Sequence, residues 1–225
     1  MKKILLLIFI VPLLQSCLST QKSTRETSVW LDEQGKEVSE EKYRNKWGKD
    51  GGFARWDKVE DGKRIATLPK PIYERLQGSY QGLHTILENL SGKEYENNTT
   101  FLLDYVYKDD FCSSKYSNNW NKSTTKERKI FLDPQKKEIE KKYENVVILH
   151  LFQEGVTFKS SEDNSYFYTD TKNIILKNLF QEPAFCGSHA IIKPDGKILI
   201  RNGEYRLDWM AEFIEPENWN KIFNL

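Results

Sequence analysis

The sequence predicts an α/β protein, in which an irregular α+β lead-in precedes a mixed four-stranded sheet flanked by helices. Three observations predict it. Two aliphatic and aromatic runs, residues 99–107 and 145–152, are short enough for buried strands and are separated by a helical pattern. Two further apolar runs, 188–193 and 197–201, flank Pro194-Asp195-Gly196, a hairpin turn. Leu207, Met210, Ala211 and Ile214 then recur at helical spacing. Strands joined through a helix usually lie parallel, and a hairpin adds an antiparallel pair, so the sheet is mixed.

Taken in order, residues 29–31 and 36–38 read as a small hairpin around a turn at 32–35. Ser39 can cap a helix through Trp47, with Glu40 and Glu41 in the first turn, where the helix dipole favours acids. The stretch from Gly48 to Gly52 breaks that helix. Beyond Pro69 and Pro71, the spacing of Ile72, Leu76, Leu83, Ile86, Leu87 and Leu90 suggests helical packing. The strand at 99–107 runs into Asp109-Asp110-Phe111-Cys112. Residues 113–128 are polar and lack an apolar stripe, so no helix is expected directly after Cys112. Asp133-Pro134 instead supplies a cap and a first-turn proline for a charged helix ending near Tyr143. After the strand at 145–152, Ile174, Ile175, Leu176, Leu179 and Phe180 suit a short helix on the sheet. The hairpin follows, then a helix over 206–214 and a last turn from Pro216 that carries Trp219, Ile222 and Phe223.

Composition narrows the function. The chain has 225 residues with 34 basic and 33 acidic side chains, a size suited to about one domain. Loss of Lys2 and Lys3 with a cleaved leader leaves 32 basic against 33 acidic. No basic face for neutralising phosphates is expected, which argues against nucleic acid as a partner. Three cysteines are too few for a disulfide-dense scaffold and are not spaced as a zinc site. No P-loop, GxGxxG, GxSxG or HExxH spacing occurs, so no cofactor and no metal is expected. His84 and His150 read as core or edge residues. His189 is three residues past Cys186 and could serve a cysteine nucleophile as base, with Asp109 or Asp110 orienting it. The plainer reading is a strand histidine facing outward. Glu204 and Asp208 read as acids at a helix start, and residues 136–142 as a solvated helix face.

The leader carries Lys2-Lys3, an apolar run over residues 4–14, and then Leu14-Gln15-Ser16-Cys17. The run fits a secretory signal and is too short to span a bilayer comfortably. The last four residues resemble the lipobox of bacterial lipoproteins. The resemblance implies a signal peptide over 1–16, cleavage before Cys17, diacylglycerol on its thiol, and a membrane anchor of two or three acyl chains. A Ser/Thr-rich tether over 17–28 would follow, then an extension over 29–98 and the main domain over 99–225. Leu18 is not the aspartate that often retains lipoproteins at the inner membrane of enteric bacteria. The expected address is therefore the cell envelope, at the outer membrane on its periplasmic or surface face.

The main domain resembles the thioredoxin-like superfamily over roughly residues 99–215. The resemblance rests on Tyr105-Val106-Tyr107 leading to Cys112, and on the apolar strand, Asp195-Gly196 turn, second strand, Gly203 and closing helix at the end. It implies a mixed sheet in which the loop after the first strand faces the loop before the hairpin. Those loops hold Cys112 and Cys186, so the resemblance implies that the two thiols meet and, once exported, can pair. Such a bridge would contribute at most about 4.5 kcal/mol by chain entropy. The chain departs from the family where its chemistry lies. Cys112-Ser113-Ser114-Lys115 lacks the second cysteine of Cys-x-x-Cys, and Gly187 or Ser188 stands where the family has its cis-proline.

The expected function is therefore a lipid-anchored envelope protein used for binding or envelope maintenance, with an envelope protein as partner and without the usual dithiol catalysis. The alternative is a thiol–disulfide oxidoreductase or peroxide-reducing enzyme, with Cys112 reacting and Cys186 resolving. A third class is an inhibitor docking through exposed aromatics such as Trp56 or Trp120. For the anchor, membrane fractionation of a bacterium expressing the chain is the check. The wild type should sediment with membranes, and Cys17→Ser should be released or remain unprocessed.

Overall fold

The computed structural model describes residues 28–112, 118–159 and 166–223. The leader, Cys17 and most of the tether lie outside these residues, as do positions 113–117 with Lys115. Eleven strands and six helices follow in chain order: β1 (Ser28–Trp30), α1 (Glu40–Lys46), α2 (Gly48–Gly51), β2 (Phe53–Glu60), β3 (Lys63–Pro71), β4 (Tyr73–Gln77), α3 (Tyr80–Ser91), β5 (Thr100–Val106), β6 (Asn119–Trp120), α4 (Lys122–Lys142), β7 (Val146–Gln153), β8 (Thr157–Phe158), β9 (Phe167–Asp170), β10 (Ser188–Ile192), β11 (Lys197–Asn202), α5 (Leu207–Ala211) and α6 (Pro216–Phe223).

Six strands make the main sheet, in the order β4-β11-β10-β5-β7-β9. The expected four-stranded unit is its inner part. β5 and β7 pair in parallel, β10 is antiparallel to β5, and β10–β11 is the expected hairpin. The two outer strands are additions: β9 pairs in parallel with β7, and β4 pairs antiparallel with β11. Alternation along the strands sorts the core into two faces. Phe101, Leu103, Tyr105, Leu149, Leu151, Ala190 and Ile200 pack against Leu83 and Leu87 of α3 and against Ile175, Leu179 and Phe180. Leu102, Ile148, Phe152, Ile191 and Leu199 pack against Leu132 and Ile139 of α4, Leu207 and Met210 of α5, and Trp219 of α6.

Three expectations need correction. Residues 72–90 are not one helical stretch, since β4 precedes α3, which Ser79 caps through Gly82 N–H at 3.2 Å. Part of the expected extension therefore belongs to the main sheet and its core. The helix expected from Asp133 begins eleven residues earlier, because the Asn121 side chain accepts from Ser123 and Thr124 N–H at 2.8 and 3.1 Å. Pro134 lies inside α4, where it cannot donate to the Ile130 carbonyl, and both residues are exposed. Over 170–180, β9 ends and a tight 3₁₀ turn leads into the expected short helix, α-type at 174–175 and π-type over Leu176–Phe180, with Ile175, Leu179 and Phe180 packed on the sheet. Trp120 is buried against Phe152 and Trp56 packs on Tyr107, so neither offers an exposed docking aromatic.

A second, three-stranded sheet, β1-β3-β2, stands beside the first. Its β2–β3 hairpin turns at Asp61-Gly62, both at positive φ (51° and 71°). Ser39 caps α1 as expected, accepting from Lys42 N–H at 3.2 Å. Asp57 is buried in β2 and accepts from Arg55 and Arg64, an ion pair that is costly to break from one side.

One transverse row of the main sheet is polar although buried. In register across it lie Arg201, His189, Asp104 and His150. His150 Nδ1 donates to Asp104 Oδ2 at 3.0 Å, His189 Nε2 stands 3.4 Å from Oδ1, and Arg128 of α4 donates to both oxygens at 3.0 and 3.2 Å. Burial alone would push the Asp104 carboxyl up, but Arg128 and the two imidazoles outweigh it and hold the group far below the usual carboxylate range. Burial drives His189 the other way, down to about 4 from 6.5, helped by Arg128 and Arg201 and opposed by Asp104. The unfolded chain therefore takes up a proton near pH 6.5 that the folded chain refuses until about pH 4. Stability is full above that window and falls as the pH drops through it, by about 3 kcal/mol from this residue. Urea unfolding at pH 7, 5.5 and 4 should show the fall, and His189→Gln should flatten it.

Candidate functional site

The register of β10 on β5 builds the site. Ser188 lies opposite Tyr105, so the loop leaving β5 and the loop entering β10 emerge at the same end of the sheet. Cys112 and Cys186 sit in those loops and form a disulfide with their Cα atoms 4.9 Å apart, 74 residues apart in sequence. Cys112 is exposed, as is Phe111 beside it, while Cys186 is half-buried. Of the two, Cys112 is thus the more exposed to solvent.

The loop entering β10 has a demanding backbone. Cys186 has φ +69° and Gly187 has φ +85°. A Cβ on Gly187 would stand 2.6 Å from the Tyr105 carbonyl oxygen, closer than real contacts allow. Glycine occupies the corner expected for the family's proline because the β5 backbone presses against it. Below the bridge runs a buried polar chain. Tyr107 OH donates to Ser188 Oγ and Ser188 Oγ donates to Asn202 Oδ1, both at 2.8 Å, while Asn202 Nδ2 donates to Glu74 at 2.6 Å. Lys70 stands 3.3 Å from Glu74 and donates to the Phe180 carbonyl at 2.5 Å. Burial lowers the Lys70 pKa, with Glu74 opposing.

Of the residues singled out from sequence, Cys112 and Cys186 are brought together. His189 is not a base for them. It is buried, not outward-facing, and paired with Asp104 in the polar row. Asp109 exchanges hydrogen bonds with Asn118, at 2.7 Å through its own N–H and 2.6 Å through its carboxylate. Asp110 is the acid that reaches the bridge, accepting from Cys112 N–H at 2.9 Å. Burial raises its pKa, against the opposing pull of the backbone amides of Cys112, Cys186 and Gly187. Arg55 escaped the sequence reading. Its carbonyl accepts from Phe185 N–H at 2.7 Å, and its guanidinium lies over the Phe185, Trp47 and Trp30 rings at 5.4, 5.0 and 5.6 Å. Only the Asp61-Gly62 turn signals the hairpin that places it.

Among the described residues no group of three or more His, Cys, Asp or Glu side chains is arranged to hold a metal. The chemistry on offer is that of a disulfide with one exposed cysteine, beside a carboxylate. Gly187→Ala should destabilise the fold by about 2 kcal/mol or more, through the clash and the φ penalty. Denaturant titration of the oxidised protein checks it.

No protein-family model and no curated protein matches the sequence. Several solved structures match at low identity. The pneumococcal exposed lipoprotein thioredoxin Etrx1 from Streptococcus pneumoniae is 15% identical, with a TM-score of 0.33 over 72% of this chain and 98% of its own. StoA from Bacillus subtilis is 10% identical, with a TM-score of 0.32 over 53% and 85%. A secreted Mycobacterium tuberculosis disulfide oxidoreductase is 9% identical, with a TM-score of 0.30 over 52% and 80%. Independently of these, the strand order and register of the inner sheet, with its flanking helices, are those expected from the sequence for a thioredoxin-like arrangement.

Proposed function

We propose that the chain is an exported thiol–disulfide exchange protein, held at the cell envelope by lipid on Cys17, whose working pair is Cys112 and Cys186. The observation that carries this reading is the exposure of Cys112 in a bridge between two loops at one end of the sheet. On this reading an incoming thiolate approaches from the more exposed Cys112 and not from the half-buried Cys186. The lipobox supports the address and an oxidising compartment supports the oxidised state.

In the exchange, a substrate thiolate attacks Cys112 Sγ, a substrate–Cys112 disulfide forms, and the electron pair of the broken bond leaves on Cys186 Sγ. Cys186 then takes up a proton. In reverse, Cys186 attacks that mixed disulfide, expels the substrate thiolate and restores the internal bridge. This division gives Cys112 the contact with substrate and Cys186 the resolving role. The absence of a second cysteine at position 115 does not prevent it, since the resolving thiol comes from the facing loop.

The test uses the full chain carrying Cys17→Ser, incubated with reduced glutathione, acid-quenched and alkylated. Mass mapping should find glutathione on Cys112 without denaturant, and insulin reduction should vanish in Cys112→Ser. A bridge that opens only after unfolding would overturn this reading and leave the binding role in its place.

A further inference from the structure

The buried polar row of the main sheet ends at a cavity. β9 pairs with β7 only from His150 to Gln153, so residues 146–149 have no strand on that side among the described residues. The gap is a cavity of about 280 Å³, walled by Val146 and Ile148 of β7, by Tyr95, Tyr166 and Tyr168, and by His150. It lies along the N-terminal half of β7, away from the disulfide, which follows the C-terminal end of the parallel strand β5.

His150 is 3% exposed, and its Nδ1–H goes to Asp104 Oδ2 at 3.0 Å. With that proton on Nδ1, the neutral ring carries its free lone pair on Nε2. The two nitrogens sit on opposite flanks of the ring. Nε2 is therefore turned away from β5 and toward the cavity, which no described β5 residue lines. It is buried there without a hydrogen-bond partner, a costly state for an acceptor. Tyr166 stacks on the imidazole at 5.0 Å, with 14° between the planes, and so fixes the ring that presents Nε2. Water is a poor filling, since the volume equals roughly nine molecules and the walls are mostly aliphatic and aromatic. Lys136 and Glu140, which also line the cavity, pair with each other, and the Lys93 ammonium rests over the Tyr168 ring at 6.0 Å.

We infer that this cavity binds a small, uncharged hydroxylated aromatic molecule, whose hydroxyl donates to His150 Nε2 and whose ring packs among Tyr95, Tyr166 and Tyr168. The donor follows from the lone pair on Nε2, the ring from the three tyrosines, and the lack of charge from the paired Lys136 and Glu140. An aromatic ether of similar size fills the space but leaves the nitrogen unsatisfied. The site is independent of the thiol exchange proposed above, and neither stands or falls with the other.

Phenol and anisole separate the hydroxyl from the ring. Each is titrated into the Cys17→Ser chain carrying ¹⁵N-labelled histidine, well above pH 6.5 so that free imidazole is neutral. Phenol should shift the His150 Nε2 resonance saturably and leave that of His84 unmoved, with anisole at least about fivefold weaker. His150→Asn keeps a donor toward Asp104 but removes Nε2, and should weaken phenol by a similar factor. Val146→Phe fills the cavity and should abolish binding of both probes. Equal affinity for phenol and anisole would overturn the hydroxyl contact. A parent chain with no saturable shift would overturn the site, as would a shift that survives Val146→Phe. Should either variant fail to fold, the ratio of phenol to anisole affinity in the parent decides.

Discussion

The site depends on how closely the start of β10 approaches the end of β5. Gly187 lies against the Tyr105 carbonyl with no room for a side chain, and this contact fixes where the facing loops leave the sheet. Had any other residue stood there, β10 would ride away from β5 and Cys186 would lift from Cys112. The disulfide follows from this backbone packing. The neighbouring network from Tyr107 through Ser188 and Asn202 to Glu74 ties the same corner to β11 and to the β3–β4 connection, without adding any bulk at the contact.

Sequence patterning revealed the inner sheet because each of its strands is apolar on both faces and each connection carries its own punctuation. Runs such as Phe101–Leu102–Leu103 and Ile191–Ile192 have no solvent side to blur them, and Pro194-Asp195-Gly196 marks its turn. The meeting of Cys112 and Cys186 was legible only through the superfamily resemblance, since nothing in a 74-residue separation points to it. The outer strands were harder to read. β4 alternates along Tyr73–Gln77 but follows two prolines and precedes a helix, so its apolar residues merged with those of α3 into one apparent helical pattern. α4 was read too short because its first three turns bury only Thr124, Thr125 and Leu132, while Asp133-Pro134 imitates a helix start in the middle of it. β2 and β3 went unread although Asp61-Gly62 is a strong local signal, because bulky polar residues on their exposed faces hide the alternation.

The charged groups of the core fall into two kinds. Asp57 is held by Arg55 of its own strand and Arg64 of β3, and Asp104 by imidazoles of the neighbouring strands and Arg128 of α4, so the cross-strand pairs specify register. Asp110 differs in that its hydrogen bond comes from a main-chain amide of its own loop, the Cys112 N–H. A buried polar row at Asp104 and a half-buried carboxylate at Asp110 lie six positions apart on the same chain segment. The first ties strands of the sheet together, and the second ties a turn of the loop that carries Cys112.

The stacking of Arg55 between Trp30, Trp47 and Phe185 has a spatial corollary. Trp30 ends the first described strand, and a single guanidinium separates it from the residue preceding Cys186. The β2–β3 hairpin is thereby clasped to the loop that bears Cys186, by a main-chain bond as well as by the stacked guanidinium, so a displacement of that loop would be felt in the second sheet.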